Sequence, residues 1–146
     1  QIQEISFAYQ MLAARNALRN GDADQMSEEI GQYIEEYRSS TSVVESCRCI
    51  RNIMDVFYKN SHNEMLLVKI TSMTGMDEIL HSLFAIPREK GGSGGQYHSG
   101  ITYFEQIYEA VREKDFSRLC DGLEAHQLWS REYIIKNLET VKRKSR

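Results

Sequence analysis

The chain has one proline, Pro87, no run of about 18 apolar residues and no excess of basic charge. Proline both lacks an amide donor and clashes with the preceding helical turn, so its scarcity leaves long stretches free to be helical. The missing apolar run excludes a membrane-spanning helix, and with no signal peptide in view neither export nor membrane association is expected. Lys and Arg number 18 against 21 Asp and Glu, a net charge of −3. Direct nucleic-acid binding needs a basic footprint, so that class is disfavoured for this chain. Clean period-two alternation is also missing, which argues against a sheet. Cysteine is sparse: Cys47, Cys49 and Cys120 are an odd set with no disulfide framework. A Cys-x-Cys pair on a helix points its thiols to different sides, so it suits neither a disulfide nor a shared metal. Reduced thiols in a cytoplasmic protein are the expectation.

What is present is helical patterning. With 146 residues, 41% hydrophobic and 27% charged, the chain can bury the core of one domain without metals or disulfides. A first helix is expected over 3–20, with Ile5, Tyr9, Leu12 or Ala13, and Ala17 inward. Asn20-Gly21 ends it, and Asp22 or Asp24 caps a second helix that runs to about Arg38 with Met26, Ile30, Tyr33, Ile34 and Tyr37 inward. Ser42 and Glu45 form a capping box that starts a third helix with the stripe Val43, Cys47, Ile50, Met54 and Phe57. Shorter helices are expected over 65–73 and 76–86, stopped by Pro87, and Gly91–Gly95 lies in a loop that is flexible by composition. A further helix starts near Ser99 with Ile101, Phe104, Tyr108 and Val111 on one face. Asp115 makes a one-residue break and caps the last and longest helix, which shows Phe116, Leu119, Leu123, His126, Ser130 and Tyr133 or Ile134. The reading is all-α: an antiparallel bundle of six to seven helices, in one domain spanning 1–146.

Charge is distributed unevenly. Residues 1–86 carry 7 basic and 12 acidic groups, and residues 87–146 carry 11 and 9. Much of the later basic excess is Lys142, Arg143, Lys144 and Arg146, which complements the negative end of the last helix rather than forming a nucleic-acid arm.

No catalytic set can be assembled. Gly91–Gly95 lacks the Lys-Ser/Thr that follows a phosphate loop. Cys47 and Cys49 have no histidine within a helical turn, and Glu28-Glu29 and Glu35-Glu36 are neighbours on solvated faces. His62, His81 and His98 have no mutual spacing for a metal, and His98 is expected to be exposed. Arg51 borders the apolar stripe and is expected to be a surface charge. The chain is not expected to be an enzyme.

Three motifs carry a resemblance. They are Phe104-x5-Ala110-Val111-x3-Asp115-x10-His126, the turn Ser61-His62-Asn63-x2-Leu66, and the alanine-rich opening Met11-Leu-Ala-Ala-Arg15. With the helix order, they make the chain resemble the FadR-type C-terminal effector-binding (FCD) domain of GntR-family bacterial transcription regulators. The resemblance implies a FadR C-terminal-domain-like bundle that binds a small metabolite, often an organic acid, and forms a homodimer. It also implies that DNA is contacted only by a separate N-terminal winged-helix domain, absent from this chain. Many members hold a divalent metal with an Asp and three His. Those positions fall here on Ile50, Met54, Phe104 and His126, so three of the four are apolar and His126 alone is retained. One ligand cannot hold a closed metal site, so no metal cofactor is expected and the chain is similar to the metal-free members.

His126 is therefore the sharpest candidate. It either donates a hydrogen bond to an effector or is a core histidine bonded to backbone or a tyrosine hydroxyl, and both readings stay open because a buried imidazole needs a partner in either case. Met54, Phe104 and Ile50 would line the same cavity, or simply fill it. Tyr58 lies one turn from Met54, Tyr108 one turn from Phe104, and Ser130 one turn beyond His126, so all three could reach it. The expected function is effector sensing and dimerisation. The alternative is a helical interaction scaffold with a packed interior and no ligand.

Overall fold

In the computed structural model the described residues are 2–66, 68 and 100–144. They form five helices: α1 (Ile2–Asn20), α2 (Ala23–Ser39), α3 (Val43–Asn60), α4 (Ile101–Arg112) and α5 (Phe116–Lys144). Residues 64–66 are also helical, and no strand occurs among the described residues. The protein is an all-α helical bundle. The helices expected over most of 65–86, the Gly91–Gly95 loop, His81 and His98 lie outside the described residues.

Local chemistry fixes the helix boundaries. Asp22 is the N-cap of α2, its Oδ1 accepting from the amides of Asp24 (3.0 Å) and Gln25 (3.1 Å). Ser42 caps α3 by accepting from the Glu45 amide (3.2 Å). The return arm of this capping box reaches one residue further back than expected. Glu45 Oε2 accepts from the Thr41 amide (2.8 Å) and the Thr41 hydroxyl (3.3 Å). These donors hold the Glu45 carboxyl below its ordinary pKa, with the Thr41 amide the largest influence.

Two turns use the left-handed backbone region without glycine. His62 (φ 53°) follows α3 and Lys114 (φ 54°) follows α4. At the first, Asn63 Oδ1 accepts from the Leu66 amide (3.1 Å), and Leu66 is buried. The segment Ser61-His62-Asn63-x2-Leu66 is thus a left-handed helix stop joined to an N-cap and an apolar anchor. At the second, Asp115 N donates to Ala110 O (2.9 Å) and Lys114 N to Val111 O (3.1 Å), the paired bonds of a Schellman stop. Asp115 Oδ1 then accepts from the Arg118 amide (3.0 Å) and starts α5. The break between α4 and α5 is three residues, Glu113 to Asp115, rather than one, because a Schellman stop needs its own C′ position before the next cap.

The five helices close into a ring in the order α1, α3, α2, α4, α5 and back to α1. α1 packs against α3 and α5 rather than beside α2, its neighbour in sequence. The reason is its surface. Ala13, Ala14 and Ala17 are fully buried, whereas Ile5 and Leu12 are exposed. Of the expected stripe, Ala13 and Ala17 are buried as expected and Ile5 and Leu12 are corrected to exposed positions, while Phe7, Met11 and Leu18 pack at the core edge. Tyr9 packs on the core edge as expected.

α2 buries Met26, Ile30, Ile34 and Tyr37, with Tyr33 packed at the edge, as its periodicity predicts. α3 lies between α1 and α2 and so buries a wider arc than one stripe: Ser46, Cys49, Ile53, Met54, Val56, Phe57 and Tyr58. Cys47 and Ile50, expected on its buried line, are only half-buried. The Ser40 hydroxyl donates to Tyr37 O (2.7 Å) and shares a 2.7 Å hydrogen bond with the Ser46 hydroxyl. α4 buries Phe104, Ile107, Ala110 and Val111. α5 buries Leu119 and Leu123, but Phe116, the first residue after the Asp115 cap, is exposed. Arg38 of α2 ties the ring at its surface by pairing with Glu35 and with Glu105 of α4. All three side chains are largely solvated, so the pairs add little stability.

Candidate functional site

The site is built from α4 and α5, with α2 beneath them. Phe104 and His126 are 22 residues apart in sequence, and their ring centroids are 4.8 Å apart. Phe104 is fully buried and His126 is half-buried, with its Nε2 shielded from solvent. Tyr37 of α2 lies under Phe104, its ring edge-on at 5.4 Å. The structure therefore brings together two of the residues singled out by motif spacing.

Three residues around them escaped sequence reasoning. Tyr103 and Trp129 stand beside His126 with centroids at 6.4 Å and 5.8 Å, and at 6.0 Å from each other. Trp129 lies one turn beyond His126, so helical spacing carried a signal for it. Tyr103 sits next to Phe104 and 100° around the helix, where periodicity places it off the buried face. The third is Gly100, the residue before α4. A Cβ there would lie 3.2 Å from Trp129 Cζ3 and 3.4 Å from the Tyr37 hydroxyl. The indole therefore rests against the backbone at the start of α4, where only a glycine leaves comfortable room.

The other candidates are spread around the ring. Met54 and Tyr58 are buried on α3 and belong to the same continuous apolar core as Phe104. Ile50 and Tyr108 are half-buried and pack against that core. Tyr108 lies against Gly31 of α2, where a Cβ would stand 3.3 Å from its Cε2. Ser130 is half-buried on α5. Met54 and Phe104 belong to one core and Ile50 packs against it, while His126 adjoins it through its ring contact with Phe104.

Among the described residues, electrostatics elsewhere offer no second centre. No three His, Cys, Asp or Glu side chains converge to hold a metal among the described residues. Burial pushes the thiols of Cys49 and Cys120 up, away from the reactive thiolate, and nearby Glu36 and Asp121 respectively add to this. Asp55, on α3, is also raised by burial, against the opposing pull of Arg51 and Lys59. Arg51 itself is half-buried rather than freely solvated. Tyr33 donates to Glu29 (3.4 Å), and burial with the neighbouring carboxylates raises its pKa. None of these groups pairs a nucleophile with a base.

No described helix is long and apolar enough to cross a membrane. No family model matches the chain, and neither the curated proteins nor the solved structures contain a significant match to it.

Proposed function

We propose that this chain is the effector-sensing and dimerising domain of a bacterial GntR-family transcription regulator. A small organic acid binds beside His126 and shifts the balance between dimer arrangements. DNA contact belongs to a winged-helix domain elsewhere in the full protein, in keeping with the net charge of −3 here. The observation that carries this reading is the 4.8 Å contact between Phe104 and His126, the first and last residues of the motif on which the resemblance rests. The cap at Asp115 and the left-handed stop at His62 support it as well, because they give physical reasons for the spacing of two of the quoted motifs.

A second reading is favoured by a specific observation. Phe104, His126 and Tyr37 fill the space between their helices by direct ring contact, as a packed scaffold with no ligand would. Thermal melting with a panel of small organic acids separates the two. The sensor reading expects at least one acid to raise the melting temperature with increasing concentration. His126→Ala should abolish that shift while leaving the helical circular dichroism signal intact. A melting temperature indifferent to every acid, or an equal shift in the variant, would favour the scaffold.

A further inference from the structure

We propose that α5 pairs with the α5 of a second copy of this chain, antiparallel about a two-fold axis that passes between Arg131 and Glu132; this rests on the dimerising part of the function proposed above. α5 is 29 residues long and α4 only 12. Trp129 lies against Gly100, the residue before α4, so residues 130–144 of α5 continue past the end of their hairpin partner. Along α5 the exposed residues Asp121, Glu124, Leu128, Arg131, Ile135, Glu139 and Lys142 recur every three or four positions. At about 100° per residue this stripe lies opposite the face that buries Leu119 and Leu123.

The stripe complements itself when the two helices run antiparallel. Its two large apolar residues, Leu128 and Ile135, stand at the middle, with Asp121 and Glu124 towards the start of the helix and Lys142 and Arg143 at its end. A parallel pair would set Asp121 against the partner's Asp121 and Arg131 against the partner's Arg131. The antiparallel register that sets Leu128 on the partner's Ile135 also sets Arg131 on the partner's Glu132 and Asp121 on the partner's Lys142, and the two-fold axis repeats every match. Glu124 meets the partner's Glu139, a like-charged match, with the partner's Lys142 and Arg143 one turn away. Among the described residues no ion pair engages Arg131 or Glu132. Charges placed in this way choose the partner and its register, while Leu128 and Ile135 supply the apolar contact. One helix pair is at the small end of stable interfaces, so the dimer forms reversibly with concentration.

Sedimentation of the intact chain over a dilution series at low salt tests the face. The parent should dimerise, and Leu128→Asp should abolish the dimer. Arg131→Glu and Glu132→Arg should each weaken it by about 10-fold, by turning a repeated opposite-charge match into a repeated like-charge one. An equimolar mixture of these two variants should regain it as a heterodimer, since every match at the axis is then opposite in charge. All three positions are exposed, so the helical circular dichroism signal should not change. A parent dimer indifferent to all three substitutions would overturn this face and leave dimerisation to another surface. Weakening by both reversals without recovery on mixing would overturn the antiparallel register. A parent that stays monomeric at every concentration would overturn the face together with the dimerising part of the function.

Discussion

His62 shows what a single residue can and cannot reveal. Its left-handed backbone (φ 53°) is the conformation that glycine adopts without steric cost and a histidine does not. The exposed His62 side chain offsets none of that cost through burial. His62→Gly should therefore stabilise the fold by about 1 kcal/mol, seen as a rise of about 3 °C in melting temperature; an unchanged or lower value would contradict the assigned turn. Asp55 gives a pH-dependent counterpart. Burial raises its folded pKa above the unfolded value, so the native state holds the proton more tightly. Stability from this group is present below the unfolded pKa and is lost as pH rises through the folded pKa. Asp55→Asn should therefore be more stable than the parent near pH 7, and the advantage should fade as the medium is acidified below the ordinary carboxylate range. Urea midpoints at the two pH values measure this, and an advantage that grows in acid would reverse the sign. Neither effect was legible in the sequence, because both depend on a backbone angle or a depth of burial that tertiary packing sets.

Helix starts and stops were legible because the caps are local. Asp22, Ser42 with Glu45, and Asp115 each bond to amides within three residues or so of themselves, and the sequence contains that whole interaction. The buried face of α2 was legible from its stripe Met26, Ile30, Ile34 and Tyr37, and that of α3 less so. α3 meets both α1 and α2, and its buried arc is wider than the Val43-to-Phe57 stripe suggests. α1 buries Ala13, Ala14 and Ala17 most deeply, with Phe7, Tyr9, Met11 and Leu18 at the core edge, and exposes Ile5 and Leu12. The opposite responses of two substitutions follow. Ala14→Leu should cost about 1–3 kcal/mol by forcing bulk into a close helix contact, whereas Ile5→Ala should change stability by less than about 0.5 kcal/mol. Chemical denaturation of both variants checks the orientation of α1; the reverse ranking would mean that the hydrophobic stripe faces the core after all.

At the scale of the whole molecule, ring closure brings distant residues to one place. α4 and α5 are joined by a three-residue turn, so Phe104 and His126 meet across a hairpin whose spacing the sequence already carries. Tyr37 enters from α2, and its approach could be read only once the order of helices around the ring was known. Tyr103 and Trp129 were missed for a related reason: half-buried aromatics at the edge of a core fall between the periodicity that marks buried faces and the polarity that marks solvated ones. The candidate site was therefore legible at its centre and not at its rim. The outer surface carries apolar residues too. Leu128 and Ile135, two turns apart on α5, are exposed, as are Ile5 and Leu12 on α1, which packs against α5. The proposed function has the bundle sense a ligand and pair with a second copy. Native mass spectrometry of the purified protein tests both parts at once. The account predicts a dimer that carries one small organic molecule per chain, released on denaturation; a bare monomer would contradict it.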